Sequence, residues 1–364
     1  MASEARIRRL VADFQHGRRP ALARAISMVE GERPGVSELL RELLLVRPRA
    51  RRMGITGPPG AGKSTLAAAI AALLRERGEE VAIVAVDPTS PFSGGALLGD
   101  RIRMNDLATD PGIFIRSMAS RGSLGGLAAT TREVIDVLDA FGFPNILIET
   151  VGVGQTQFEI QAAADSTAVV LVPESGDGIQ AMKAGLMEVA DMFVVNKSDR
   201  VGADRLVREI RQALLLKRGV ASRDVPAHHG VDLSAAGAPA AEEPSPSGRW
   251  EIPVLKTSAG RGEGIDDFLE QLLAHHRHLT VTGELDARRQ RRAEGRIRDV
   301  VERRLRRRAR TRMETHPRLA EWTADVRAGS ETAYSVADRI IPAILGKVPD
   351  RGTEERRDPS DVDD

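Results

Sequence analysis

The sequence predicts an α/β fold: a mostly parallel sheet in a three-layer sandwich, flanked by N-terminal and C-terminal helical segments. Two observations carry this. From about residue 50 to 280, short apolar runs rich in β-branched residues alternate with longer helical stretches. That is the pattern of parallel strands covered on both faces by helices. A glycine-rich loop, within GITGPPGAGKST at 54–65, then joins the first strand to the first of those helices.

Taken in order, residues 3–48 read as helices, because Leu10, Val11 and Phe14 fall at helical spacing and SELLRELLLV (37–46) is apolar-rich. RRMGIT (51–56) is a weak strand by itself and is assigned because the loop after it demands one. The other strands are VAIVAV (81–86), GIFIR (112–116), NILIE (145–149), TAVVLV (167–172), MFVVN (192–196) and IPVLK (252–256). Helices are expected at about 63–77, 125–141, 178–190, 203–218 and 264–279. Residues 221–249, rich in Ala, Pro, Ser and Gly, read as a mobile insertion. A last helix is expected near 331–345. The expected divisions are helices at 1–49, the α/β domain at 50–282, a helical arm at 283–347 and a disordered acidic tail at 348–364.

A chain of 364 residues has room for more than one structural unit. Apolar residues are 41% and aromatics only 3%, so the core must be aliphatic. With 53 basic and 52 acidic residues, the net charge of +1 gives no whole-chain pull toward nucleic acid or membrane. The absence of cysteine excludes disulfides, thiolate metal sites and a cysteine nucleophile, and fits a reducing compartment. MASEARIRRLVADFQHGRR lacks the continuous apolar core of a signal peptide. No window approaches the roughly 20 apolar residues that a bilayer span needs. A soluble, cytoplasmic protein is expected.

The loop Gly57, Pro58, Pro59, Gly60, Ala61, Gly62, Lys63, Ser64, Thr65 satisfies G-x-x-x-x-G-K-[ST]. Its glycines let backbone N–H groups converge on phosphate oxygens with no Cβ in the way. Lys63 would put a point charge on the β- and γ-phosphates, and the Ser64 hydroxyl would ligate Mg²⁺. The helix that starts there adds its positive end.

Magnesium beside phosphates needs one or two carboxylates. Asp87 follows VAIVAV, and Glu149 follows NILI and opens Glu149-Thr150-Val151-Gly152. Ligands of open parallel sheets bind beyond the carboxyl ends of the strands, so both acids are expected in the crevice that holds Lys63. There the cations offset the desolvation of their charge. The Gly152 N–H is expected close to the γ-phosphate. The irregular loop at 87–104 offers Asp100 as a further metal-shell acid.

VVNKSD (194–199) follows a strand and contains N-K-x-D. Asp199 can accept two hydrogen bonds from the ring N–H and exocyclic amine of guanine. Adenine has no such donor pair and would leave a carboxylate unpaired. Asn196 would bridge loops near the base, the Lys197 stem would pack on its face, and the backbone of Ser258 and Ala259 would meet the guanine oxygen. The ligand so read is GTP or GDP.

GITGPPGAGKST, VAVDPTSPFSGGALLGDRIRM, ETVGVGQ, GDGIQAMKAGLMEVAD, NKSD and TSA together resemble the methylmalonyl-CoA-mutase-associated GTPases, the MeaB or ArgK type. The likeness covers about 50–282 densely and reaches the helices on either side more loosely. It implies a P-loop GTPase, a magnesium cofactor and a homodimer made by the C-terminal helical arm. It further implies a chaperone of a cobalamin-dependent acyl-CoA mutase such as methylmalonyl-CoA mutase, gating adenosylcobalamin loading and protecting or rescuing the enzyme. By position, Asp87 and Asp100 become magnesium-shell acids and Glu149 the switch acid. Residues 174–188 match a third switch in which Lys183, with Asp177 and Gln180 beside it, couples nucleotide state to the mutase. DGIQA replaces the family's common D-E-L-Q-G there, and Gly178 removes a charge. No counterpart of the water-orienting glutamine of small GTPases is evident, Gln155 and Gln157 being the nearest.

Residues 288–312 hold 13 arginines against three acids, yet Ile297, Val301, Leu305, Ala309 and Met313 draw one apolar stripe. With no interleaved aromatic to stack on bases, this reads as a partner-packing helix with arginines solvated or paired opposite, rather than a nucleic-acid site. His275, His276 and His278 are expected at the negative end of a helix, where cations are welcome. Trp250, Trp322 and Tyr334 read as packing residues. The alternatives are a GTPase metallochaperone, which would use the histidines, and a P-loop kinase, which would not need Asp199.

Overall fold

A computed structural model describes residues 2–87, 107, 109–119, 129–150, 160–173, 186–217 and 248–345. Three helices come first: α1 (Ala2–Gln15), α2 (Arg19–Glu30) and α3 (Val36–Leu43). Then follow β1 (Arg51–Thr56), α4 (Lys63–Glu76), β2 (Val81–Asp87), β3 (Ile113–Ala119), α5 (Ala129–Phe141) and β4 (Asn145–Thr150). β5 (Ser166–Leu171), β6 (Met192–Val195), α6 (Ala203–Lys217), β7 (Val254–Lys256) and α7 (Ile265–Val281) complete the α/β part. Three helices end it: α8 (Glu284–Glu314), α9 (Leu319–Ala328) and α10 (Ala333–Leu345). The chain divides into two compact units, residues 1–292 and 293–364. Among the described residues no helix is long and apolar enough to cross a membrane.

The seven strands form one sheet in the order β3-β2-β4-β1-β5-β6-β7, with every pair parallel. The expectation of a mostly parallel sheet is met in full among the described strands. The weak strand β1 lies at the centre, between β4 and β5. The loop after it is what made it legible. β4 and β5 are buried along their whole length, as their unbroken apolar runs require.

Each face of the sheet has its own core. On one face Leu66, Ile70 and Leu74 of α4 and Phe268 and Leu272 of α7 pack on Met53, Ile55, Ile83 and Leu147. On the other, Val134 and Leu138 of α5 meet Val84, Ile146 and Ile148, and Leu22, Ile26 and Leu39 join the same cluster. α6 covers Val169 and Phe193 further along that face. The N-terminal helices thus complete the α/β core. Each fully buried Leu or Ile contributes about 1.5–3 kcal/mol.

The amino ends of β1, β5 and β6 carry a buried ionic cluster that the arginine-rich reading did not foresee. Asp165, just before β5, accepts from Arg289 at 3.0 Å, from Arg292, and from the Arg52 amide at 3.2 Å. Asp191, just before β6, takes Arg288 through both nitrogens at 2.9 and 3.1 Å and accepts the Thr167 amide at 2.8 Å. Burial alone would raise the Asp165 pKa, but Arg292 and Arg289 outweigh it and hold it at about 2. Of the two expected arrangements, solvated or paired, pairing holds for Arg288, Arg289 and Arg292, whose partners are acids at the foot of the sheet, while Arg291 is exposed.

His275 stands inside this region. It is fully buried, shares a 2.8 Å hydrogen bond with Ser166 Oγ, and lies 4.7 Å from the Trp250 ring. Burial pushes its pKa down to about 4. It is a neutral core residue, not an exposed cation at a helix end. In the second unit, Trp322 and Ile340 form a small core with Ala309 and Val336, so Ala309 leaves the predicted stripe. Ile297, Val301, Leu305 and Met313 stay exposed. Trp322 packs as expected, whereas Tyr334 is 85% exposed.

Candidate functional site

The phosphate loop leaves β1 through backbone that only glycine adopts easily. Gly57 has φ +143°, and a Cβ there would land on the Val170 carbonyl oxygen of β5. Gly62 has φ +84°, and its Cβ would meet the Asn196 side-chain amide. The chain then winds into α4 at Lys63, so the candidate residues Lys63, Ser64 and Thr65 form the first turn of the helix. Lys63 is buried and donates from Nζ to the Pro58 carbonyl at 2.8 Å, curling back over its own loop.

Parallel register sets Glu149 beside Ile55, two residues before Gly57. Its side chain crosses to α4, where Ser64 Oγ donates to Oε1 at 2.5 Å. Only 1% of Glu149 and 7% of Ser64 are exposed. A hydroxyl and a carboxylate oxygen held together beside a phosphate loop are a hard-oxygen donor set, which fits a magnesium ion sharing phosphate oxygens. Among the described residues no group of three or more His, Asp or Glu side chains gathers as an all-protein metal cage. Asp87 ends β2, next to β4, so its backbone reaches the same rim.

β6 delivers the second half of the site. Asn196 follows it, 2% exposed, and ties three segments together. Its Nδ2 donates to the Ala61 carbonyl of the phosphate loop at 2.8 Å. Its Oδ1 accepts from Thr257 Oγ1 and from the Ala259 amide, both at 3.1 Å. The N-K-x-D loop, the phosphate loop and the T-S-A loop are thus joined by one side chain. Lys197 takes the left-handed conformation, φ +56°, as the chain turns outward. Asp199 Oδ1 then accepts Ser258 Oγ at 2.8 Å, while Arg261 lies 3.4 Å from Oδ2. The Ser258 hydrogen bond, with Arg261 adding, holds the Asp199 carboxyl below its usual range, so it is anionic at neutral pH.

Among the sequence-predicted residues, Gly57–Thr65, Glu149, Asn196, Lys197, Asp199, Ser258 and Ala259 come together at the carboxyl ends of β1, β4 and β6 and the loop after β7. The Ala259 amide, expected to meet the guanine oxygen, donates here to Asn196. Asp100, Gly152, Gln155, Gln157, Asp177, Gln180 and Lys183 lie outside the described residues, as does the Asp87 side chain. Sequence reasoning did not single out Thr257, whose hydroxyl holds Asn196, or Arg261. Their place inside KTSAGRG was the available signal.

An all-parallel sheet with a glycine cradle at its centre and an asparagine-linked base loop defines the P-loop GTPase class. The family model described as methylmalonyl Co-A mutase-associated GTPase MeaB matches residues 22–314. A protein named as a GTPase in Pyrococcus abyssi is 40% identical over 340 residues, covering 93% of this chain and 96% of the relative. GTPase ArgK of Escherichia coli K12 is 34% identical over 299 residues, 80% of this chain and 82% of its own. The methylmalonic aciduria type A homolog of Mus musculus, mitochondrial by name, is 35% identical over 299 residues, 78% of this chain and 66% of its own. The crystal structure of an LAO/AO transport system kinase superposes with a TM-score of 0.61 at 25% identity, covering 94% of this chain and 99% of that one. The chain belongs to the MeaB family of mutase-associated GTPases, and it is a GTPase that binds guanine nucleotide.

Proposed function

We propose that the chain is a GTP-driven chaperone of a cobalamin-dependent acyl-CoA mutase such as methylmalonyl-CoA mutase. In this reading it gates adenosylcobalamin loading and protects or rescues the enzyme. The observation that carries it is the extent of the family match, which runs from α2 through both nucleotide loops to the last residue of α8. The mouse relative, named for a methylmalonic aciduria, supports the same assignment.

In the proposed cycle Lys63 leaves the Pro58 carbonyl for the β- and γ-phosphates. Ser64 and Glu149, with Asp87 and Asp100, are the residues that would hold magnesium. Magnesium, when bound, neutralises charge developing on the transferred phosphoryl group. Asp199 reads the guanine edge while Ser258 fixes its carboxylate plane. Asn196 keeps base loop and phosphate loop at a constant spacing, so both ends of one nucleotide are engaged together. Gly152 senses the γ-phosphate, and Asp177, Gln180 and Lys183 report its presence to the mutase. The exposed residues Ile297, Val301, Leu305 and Met313 supply the homodimer face.

The sequence offers no evident arginine finger in cis, so intrinsic turnover of order 10⁻⁴–10⁻² s⁻¹ is expected, as in unassisted GTPases. The test is a hydrolysis assay with and without the mutase captured from the native cell by GTP-locked protein. A rise in rate on adding the mutase is the expected outcome. Equal rates with a verified binding partner, or capture of no cobalamin enzyme, would overturn the chaperone reading while leaving the GTPase intact.

A further inference from the structure

The end of β4 is tied twice, once on each face of the sheet: to α4 on one and to β1 on the other. Side chains alternate along a strand, so Glu149 turns with Leu147 toward α4, and Thr150 turns with Ile148 toward α5. On the α4 side Ser64 donates to Glu149. On the α5 side the Thr150 hydroxyl donates to Thr56 Oγ1 at 2.9 Å, with Thr56 0% and Thr150 1% exposed. Backbone pairing between these strands runs as far as Ile55 and Glu149. The hydroxyl pair is the next rung, formed by side chains.

Packing alone does not call for hydroxyls at these positions. In the same row of the sheet β2 places Val86 opposite Thr150, and β5 places Val169 opposite Thr56. Four β-branched residues of one shape therefore cross four adjacent strands, and only the middle two carry oxygen. Those two strands run directly into the phosphate loop, at Gly57, and into the segment after Glu149. A hydroxyl pair in a dry site must be made in one geometry or leave a donor orphaned, whereas valine would slide.

We infer that Thr56 and Thr150 are positioning residues for GTP hydrolysis: their hydrogen bond fixes the height of Glu149 relative to Ser64 and the phosphate loop. The inference deepens, and rests on, the role proposed above for Glu149.

The experiment compares Thr150→Val, Thr56→Val, Thr150→Ser and the double valine variant with wild type. Readouts are kcat and KM for GTP, release of a fluorescent GDP, and melting of the nucleotide-free protein. Misplacement by a fraction of an ångström should cost Thr150→Val about tenfold in kcat with KM within about twofold. GDP should leave about fivefold faster. Thr150→Ser, which keeps the oxygen and loses the methyl, should return kcat to within about twofold of wild type. The double variant should be no slower than the slower single one, because both remove the same bond. Three results would each overturn the inference: unchanged kcat in Thr150→Val, equal losses in the serine and valine variants, or single losses that multiply. Should Thr150→Val not fold, Thr56→Val carries the same comparison from the acceptor side. A wild-type protein that binds GTP with no contribution from Glu149 would instead remove the parent reading.

Discussion

The two ends of the central strands solve the same problem, a charge inside the protein, in opposite ways. At the amino ends, Asp165 and Asp191 are held by the guanidinium groups of Arg288, Arg289 and Arg292 and by two backbone amides. At the carboxyl ends, Glu149 meets a serine hydroxyl and Lys63 meets a loop carbonyl. Arginine forks hold a carboxylate through paired, charge-assisted hydrogen bonds of fixed geometry. A hydroxyl and a carbonyl are partners that an ion or a phosphate oxygen can replace. Buried charge by itself therefore does not mark a functional site in this fold. The chemistry of its partners does.

The sharpest way to break this contrast is to damage each end separately. Asp165→Ala would strand Arg289 and Arg292 without their anion, and removing one side of a buried pair costs about 3–5 kcal/mol. Melting should fall by about 10 °C, at the 2–4 °C per kcal/mol usual for domains of this size. The GTP affinity of the folded protein should stay within about twofold. Lys63→Ala should do the reverse. Losing a charge-assisted contact to phosphate is expected to weaken GTP binding by about 100-fold in calorimetry, with melting of the nucleotide-free protein nearly unchanged. If both variants shift both readouts alike, the two ends are not separable and the comparison fails.

How much of this was legible follows the same division. The sheet was readable because strands buried on both faces are written as unbroken apolar runs, and β1 because a phosphate loop must spring from a strand. The rim was readable because its residues sit in short contiguous motifs: Gly57–Thr65, Asn196–Asp199 and Ser258–Ala259. The foot was not. Arg292 and Asp165 are 127 positions apart, and nothing near either one announces the other, so composition suggested only a helix with arginines solvated or paired and could not name the acids that pair with them. α9 went unassigned although Leu319, Trp322 and Val326 stand at helical spacing within it. The N-terminal helices were seen as helices, but not as the cover of β2 and β4, because an amphipathic stripe does not name the surface it packs on.

The smallest effect expected concerns pH, and it distinguishes the two ends from within. His275 is neutral in the fold, its pKa pushed down by burial to about 4 against an ordinary value of 6.5. Asp191 beside it pulls the other way, and Arg288 adds to the depression. The unfolded chain therefore takes up a proton near pH 6.5 that the folded chain refuses until about 4. Stability from this group is complete above pH 6.5 and is lost as pH falls toward 4. Between pH 7 and 5 the loss comes to about 2 kcal/mol. Asp165, held near 2, stays charged over that range, so its stabilisation is intact there and is lost only as pH falls below about 4. Melting at pH 7 and pH 5 should show the drop in wild type, and His275→Gln should flatten it, leaving a smaller slope from His276, which burial also depresses. An unaltered slope in His275→Gln would mean that the imidazole is already protonated in the fold. If Asp199 reads the base as proposed, GDP affinity should hold constant across the same range, because its carboxyl is held below the usual range and stays ionised.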